Sequence, residues 1–450
     1  MKVIITGIGK LGEYLVYQLV DEDLDITIID RDFSNKKDII SNYDVNYVEG
    51  NALDPDVLIE AGIKDTDLII SVLEKDEQNI MCSLIAKKLG AKHTIARIRT
   101  PEYSNLIDLL KDELNLSMII NPDLMTASSI ARTLNIPSAI DSTTFLKDKI
   151  EMITIKVKKS SPLSKISVHY LLKNNDFNVI ICAIERNGKT IIPRGSTKLL
   201  ENDKIYIIAT HENISKVLKF LKLKSEKIKN VMIAGGSSLA VYLTKIISKI
   251  GMNVKIIEIN KERCKELCCI LPNATIVNGD VSDQDVLYEE GIEEADAFIS
   301  LTSIDEENIV CSMFAHGLNV PKVITKVNHI KLNGVIEKSQ IDIAIAPHKI
   351  AANQIVKYVR AMVFSGGSSC EAVYDHDDIF EMLEFRILKD FKKVNTKLSD
   401  LKLKEGILIG AIQRKKDIIF PTGKDMIKED DIVIVVNASH KIKDINDILE

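Results

Sequence analysis

The chain has 450 residues, of which 46% are hydrophobic and 28% charged, with a net charge of −6. That is too much chain for a single core, so three or four compact units are expected, with the composition of an ordinary water-soluble protein. The slight negative charge gives no overall attraction to nucleic acid or an anionic membrane, and no run approaches the roughly 18 apolar residues of a membrane span.

The first stretch, "MKVIITGIGKLG", has too short an apolar run for a signal peptide, and Lys10 interrupts it; it reads as a first β-strand. Short apolar strands (VIIT, ITIID, NYVEG, LIISVL, HTIARI, MIINP) then alternate through residues 1–120 with helical segments such as 11–20 and 77–89. That alternation predicts a parallel sheet with helices on both faces. "NPDLMTASSIARTL" reads as a longer helix with Asp123 near its start, the crossover segment of 121–147. Residues 148–225 carry strands ("MITIKV", "FNVIICAIERNG", "DKIYIIAT") without long helices between them, the pattern of a small α+β domain. A lysine-rich linker, "LKLKSEKIKN" (221–230), leads to a second parallel-sheet domain over 228–350. A connecting helix and loop (351–380) and a second small domain (381–450) complete the chain.

The second half repeats the first. Asp30 and Glu258 are 228 positions apart, as are "AIERNGKTIIPRGSTKLLENDKIYII" (183–208) and "AIQRKKDIIFPTGKDMIKEDDIVIVV" (411–436). "VEGNALDPDVLIEAGI" (48–63) and "DEQNIMCSLIAKKLG" (76–90) recur as "VNGDVSDQDVLYEEGI" and "DEENIVCSMFAHGLN" at a spacing of 229. The predicted fold is therefore two tandem copies of a Rossmann-like, doubly wound parallel-sheet domain, each followed by a small α+β domain.

The loop after the first strand, "GIGKLG", holds Gly7, Gly9 and Gly12 at G-x-G-x-x-G spacing. Such a loop turns tightly at the first glycine, lets a pyrophosphate approach at the second and packs a helix at the third. The helix then points its N-terminal amides at the phosphates, and Asp30, at the end of the second strand, stands where a carboxylate accepts ribose hydroxyls. Lys10 at the helix start reads either as a phosphate ligand or as a solvated lysine, and Asn51 either as an adenine contact or as a turn residue. Arg97 and Arg99 in "ARIRT" are read as facing opposite sides of the sheet, with Arg97 the one aimed at phosphates because Lys326 holds the matching place in the second half. The second loop, "GGSSLA", keeps Gly235 but places Ser237 and Ala240 at the other glycine positions. Ser237 crowds the pyrophosphate place, Glu258 retains the ribose acceptor, and Asp280 and Lys326 replace Asn51 and Arg97.

No Tyr-x-x-x-Lys pair and no H-E-x-x-H occurs, which argues for sensing over an NAD-dependent oxidoreductase; a stand-alone nucleotide-binding scaffold is the remaining alternative. The seven cysteines form no regular framework, as suits a reducing cytoplasm, and "CKELCC" (264–269) reads as a helix face rather than a metal site. "HDD" (376–378) reads as a solvated loop.

Together "GIGKLG" with Asp30, "EGNALDPDVLIEAGI", "SVLEKDEQNIMCSLIAKKLG", "IARIRTPEY" and "NGKTIIPRGSTKLLENDKIYII" resemble the RCK (KTN) family of potassium-conductance regulators, over essentially the whole chain. Two such domains in tandem are the arrangement of the regulatory subunits of Trk potassium-uptake systems. The resemblance implies a non-enzymatic gating subunit, cytoplasmic and peripheral on the inner membrane face. It further implies a homotetramer beneath a TrkH-type membrane subunit, with NAD+, NADH, ATP or ADP as regulatory ligand and no nucleic-acid partner. By position it places the nucleotide against Gly7, Ile8, Gly9, Lys10, Leu11 and Gly12, with Asp30, Arg31, Asn51, Leu73, Glu74 and Arg97 around it. In the second half the same places fall to Gly235, Gly236, Ser237, Ser238 and Leu239, with Glu258, Asp280 and Lys326. Leu73 departs from the Thr or Ser that relatives often place near this position, which removes a hydroxyl contact. Asp123 matches an acidic position that binds a divalent metal in some members, or else simply opens its helix. Small domains of some relatives bind cyclic dinucleotides.

Overall fold

The computed structural model describes residues 1–20, 22, 24–34, 36, 41–101, 103, 116–135, 141–146, 149–157, 161–174, 177–221, 227–328, 341, 343–364, 370–376, 379–438, 442 and 444–450. The central part of the predicted linker (222–226) and Asp377 and Asp378 of the "HDD" stretch lie outside these residues.

In the first copy β1 (Lys2–Thr6), α1 (Lys10–Leu19), β2 (Asp25–Asp30), β3 (Asn46–Glu49), α2 (Pro55–Glu60), β4 (Leu68–Ser71), α3 (Asp76–Leu89), β5 (His93–Arg97), β6 (Met118–Ile120) and α4 (Pro122–Asn135) follow in order. The inner strands are short apolar runs because both sheet faces are covered there, as all four residues of β4 show by being buried, whereas the edge strand β3 is largely exposed. On α1, Leu11, Leu15, Val16 and Leu19 share one buried stripe at helical spacing. Helix α2 starts where Asp54 accepts the Asp56 amide and Pro55 takes a first-turn place that needs no amide.

The six strands are parallel in the order β3-β2-β1-β4-β5-β6. The order reverses between β1 and β4, so a crevice opens at the carboxyl ends of these two strands, the place where doubly wound sheets receive ligands. The second copy repeats the plan. It runs β12 (Asn230–Ala234), α5 (Ser238–Lys249), β13 (Asn253–Glu258), α6 (Lys261–Ile270), β14 (Thr275–Asn278), α7 (Gln284–Glu289), β15 (Ala297–Ser300), α8 (Asp305–Gly317), β16 (Lys322–Lys326), β17 (Ile343–Ile345) and α9 (Pro347–Phe364). Its sheet order is β14-β13-β12-β15-β16-β17.

Residues 1–134 and 228–356 make one compact unit that holds both parallel sheets. Within it the copies meet through matching tyrosines 228 positions apart. The Asn121 amide donates to the Tyr242 hydroxyl (2.9 Å), which donates to the Arg99 carbonyl (3.2 Å). On the other side the Tyr14 ring stands edge-on to His348 at 5.8 Å, with Lys349 Nζ 5.9 Å from its centre.

Residues 135–227 and 357–450 make a second unit of two antiparallel five-stranded sheets. The first holds β7 (Asp141–Phe145), β8 (Ile150–Lys156), β9 (Val179–Arg186), β10 (Lys189–Ile191) and β11 (Lys204–Ala209); the second holds β18 (Cys370–His376), β19 (Phe380–Arg386), β20 (Ile407–Arg414), β21 (Asp417–Ile419) and β22 (Ile432–Asn437). One face of each joins a shared core of Phe145, Met152, Tyr206 and Ile208 against Phe380, Met382, Ile434 and Val436. Both sheets begin earlier than the sequence pattern predicts. β7 and β18 fall in segments read as connectors, yet pair antiparallel with β8 and β19. They are edge strands, where "DSTTF" can afford polar residues that a hydropathy pattern does not register as a strand.

An arginine clamp recurs in both small domains. Arg186 grips Asp203 through Nε (2.8 Å) and Nη2 (2.7 Å), and Arg414 grips Asp431 at 2.9 and 2.7 Å. Each carboxylate also accepts a loop amide, from Leu200 or Lys428, and is essentially buried. Asp203→Ala therefore strands a guanidinium and an amide together and is expected to cost about 2–4 kcal/mol of stability, measured by chemical denaturation.

Candidate functional site

The first crevice is built around a turn that only glycine makes. Gly7 has φ +89°, and a Cβ there would lie 3.0 Å from the Val72 carbonyl oxygen. Its amide donates to the Ile29 carbonyl (2.9 Å), tying the loop to β2. Gly12 is needed for close approach, since a Cβ would stand 2.1 Å from the Gly7 oxygen. Gly9 differs from both. It is the N-cap of α1 with extended backbone (φ −87°, ψ −168°), no side chain caps the helix, and an added Cβ would meet no protein atom within 4 Å. The protein's own packing makes no demand for glycine at position 9.

Beside this loop Asp30 does more than face outward. Its Oδ2 accepts the Ile8 amide (2.6 Å) and Lys36 Nζ (2.6 Å), and Oδ1 accepts the Asp32 amide (3.2 Å). Burial pushes the carboxyl pKa up, but Lys36 and the two amides outweigh it and hold Asp30 below the usual carboxylate range. The acid at the strand end thus also tethers the glycine loop, a role sequence reasoning missed. The second copy repeats it, with Glu258 accepting the Gly236 amide (2.7 Å) and the Asn260 amide (2.7 Å). The recurrence of an acid in both halves was the available signal.

At the outer rim Arg31 Nη2 donates to Asn51 Oδ1 (3.2 Å), which also accepts the Leu53 amide (3.2 Å). At the inner end Asn79, fully buried, accepts the Leu73 amide (2.6 Å) and donates to the carbonyls of Leu73 (3.1 Å) and Arg97 (2.9 Å). Asn308 does the same between Thr302 and Lys326, at 2.9, 3.2 and 3.1 Å. These asparagines lie inside the repeated "DEQN" and "DEEN" stretches, and sequence reasoning did not single them out. Asp76 joins them, accepting the Arg99 and Thr100 amides (2.9 and 2.8 Å) and the Thr100 hydroxyl (2.6 Å). Thr302 stands where the first copy has Leu73 and so restores a hydroxyl to the second site.

The reading of Arg97 and Arg99 on opposite sides is corrected. Both guanidinium groups donate to the Glu74 carbonyl, each at 3.2 Å, and Arg97 also to that of Leu73. Residues two apart along extended chain share a face, and only odd separations oppose. Arg97 is half-buried, and its Nε is buried and unpartnered. Burial first, and the like charge of Arg99 second, lower its pKa to about 10. Asp123 is half-buried in the fields of Arg99, Lys326 and Arg97, and its partial loss of solvent dominates, raising its pKa. Burial lowers the pKa of Lys326, whose Nζ donates to the Leu301 carbonyl (3.3 Å). Asp123 thus feels charges of both signs, Arg99, Lys326 and Arg97 against Asp76.

The second loop has the same turn, Gly235 at φ +94°, and a different helix start. Ser237 caps α5 with its own hydroxyl, which accepts the Ala240 amide (3.4 Å). Ser238 opens the helix where Lys10 opens α1, and Leu239 is buried as Leu11 is. Ala240 is fully buried, so this loop leaves room for a methyl group where the first does not. Arg263 Nε donates to the Gly236 carbonyl (2.9 Å), and Asp280 is held by the Ser282 amide (2.9 Å) and hydroxyl (2.7 Å). Cys264, Cys268 and Cys269 lie on α6, and the buried Cys264 thiol donates to the Glu258 carbonyl (3.3 Å).

Residues 3–122 and 231–347 match the TrkA-N domain family, and residues 152–222 and 382–450 the TrkA-C domain family. The Trk system potassium uptake protein TrkA of Vibrio alginolyticus is 30% identical over 445 residues, covering 98% of this chain and 96% of its own. A TrkA homolog from Archaeoglobus fulgidus is 32% identical over 448 residues, covering 100% of both. Among solved structures, the GsuK RCK domain superposes with a TM-score of 0.65 at 16% identity, covering 97% of this chain and 92% of its own. The GsuK channel bound to NAD gives 0.64 over 97% of this chain and 77% of its own. The fold is thus that of RCK domains.

Proposed function

Because the chain belongs to the family of Trk system potassium uptake proteins, with TrkA-N and TrkA-C domains in tandem, we propose that it is the nucleotide-sensing regulatory subunit of a Trk-type potassium uptake system. Among the described residues no helix is long and apolar enough to cross a membrane, so the pore belongs to a separate membrane partner in this reading. The observation that carries the nucleotide is Gly9. An uncapped helix start faces space that no protein atom claims, beside a carboxylate anchored at the ribose position. A phosphate accepts the first-turn amides there, at the positive end of the helix dipole.

The ligand is sensed rather than consumed. It shifts the subunit between states by its different affinity for each, and the shift is passed to the pore. NAD and ADP complexes of the GsuK fold relative support an adenine nucleotide as the ligand class. Calorimetry of the purified chain with ATP, ADP, NADH and NAD+ tests this. Saturable binding to at least one is expected, with no turnover by chromatography of the recovered ligand. Folded protein that binds none of the four rules the reading out, and steady conversion of ligand would replace the sensor with an enzyme.

A further inference from the structure

Lys36 is a feature of the first pocket that neither the glycine loop nor the repeat accounts for. Its Nζ lies 2.6 Å from Asp30 Oδ2, with the two side chains only 24% and 16% exposed. The segment after β2 is folded so as to bring it there. Asp32 Oδ1 accepts the Ser34 amide (2.7 Å), and the Lys36 amide donates to the Phe33 carbonyl (3.0 Å). Nζ stands 6.0 Å from the centre of the buried Phe33 ring, which packs 5.3 Å from Tyr47. Among the described residues of the second copy no lysine reaches the acid, since Lys265, 229 positions on, pairs with Glu262 (2.7 Å) instead. The residue 228 positions on is Cys264, and among the described residues the Glu258 carboxylate accepts only from amides.

A carboxylate offers about four acceptor positions. Three are occupied in Asp30, by Ile8 and Lys36 on Oδ2 and by Asp32 on Oδ1. A ribose that gives both its 2′ and 3′ hydroxyls needs two. We propose that Lys36 is a built-in competitor for the ribose diol, holding the acceptor position of Asp30 that bidentate binding requires and leaving it only when a ribonucleotide is seated. The proposal rests on the nucleotide reading above and names a residue that sets affinity and sugar selectivity at that site. A deoxyribose, with a single hydroxyl, fits the one open position without displacing Lys36. The intact protein therefore distinguishes ribo- from 2′-deoxyribonucleotides weakly.

Titrating ATP and dATP into the full chain and its Lys36→Met variant tests this by calorimetry. Removal of the lysine is expected to tighten ATP about three- to fivefold, the range a partly exposed ion pair allows. It should change dATP less, so the ATP-to-dATP preference rises. Lys36→Leu, which likewise has no donor, should behave like Lys36→Met, and Lys36→Arg should keep the original preference. Weaker ATP binding in Lys36→Met, as a phosphate-contacting lysine would give, or an unchanged preference, overturns the competition. In that case ATP binding that Asp30→Ala still weakens leaves the nucleotide reading standing. Absence of ATP and dATP binding in every form overturns the nucleotide reading and the competition with it.

Discussion

Gly9→Asp is expected to weaken ATP and NADH binding by at least about 100-fold while moving the melting temperature by less than about 2 °C. The backbone at position 9 (φ −87°, ψ −168°) suits any residue, and a side chain there meets no protein atom within 4 Å. The new carboxylate would take up first-turn amides as an ordinary N-cap, worth about 0.5–2 kcal/mol to the helix, so the fold loses nothing. The ligand loses twice. Its amides are occupied, and a negative charge stands where its phosphates approach, together a loss on the order of 3 kcal/mol or more. Gly12→Ala supplies the contrast. Its methyl would sit 2.1 Å from the Gly7 oxygen, so overpacking should cost about 1–3 kcal/mol of stability and any loss of affinity should come with a lower melting temperature. Calorimetry and thermal unfolding on the two variants separate the cases. Wild-type affinity in Gly9→Asp would remove the first loop from the binding site.

That contrast shows how far the sequence can be read. Gly7, Gly9 and Gly12 look alike in a motif, yet the structure gives them three different reasons: a positive φ, open space and a close contact. The first and third are internal demands that spacing makes legible, because strand, turn and helix must join in one way. The parallel sheets were legible for the same reason, their strands being unbroken apolar runs. Asn79 and Asn308 were not, because their work is to join three backbone groups that lie near one another only after β4 pairs with β5, or β15 with β16. Nor was the tether from Asp30 to the Ile8 amide, which depends on how the loop folds back over β2. The edge strands β7 and β18 were missed because an edge tolerates polar residues. The meeting of both parallel-sheet copies in one unit through Tyr14 and Tyr242 was hidden as well, since a tyrosine on a helix has no sequence mark of its partner.

One nucleotide per chain is expected at high affinity, with the second site at least about 30-fold weaker. The two pockets share their turn and their anchored acid, so the difference falls on the helix start. In the first, no side chain competes for the amides of α1. In the second, the Ser237 hydroxyl already accepts the Ala240 amide, so a phosphate must displace it and lose space to its Cβ. Asp280 adds a negative charge where the first copy has the neutral Asn51, and the loop carbonyl of Gly236 is held by Arg263. A lost cap hydrogen bond of about 1 kcal/mol, with the steric and charge terms, gives about 2 kcal/mol against phosphate, which is the factor expected. Calorimetric stoichiometry reads it directly, and two equal sites per chain would refute it. The double variant Ser237→Gly with Asp280→Asn then tests the cause. Glycine at the N-cap costs the helix only a few tenths of a kcal/mol, so the protein should stay folded while the second site gains measurable affinity. If stoichiometry stays at one in that variant, the helix start is not what closes the second pocket.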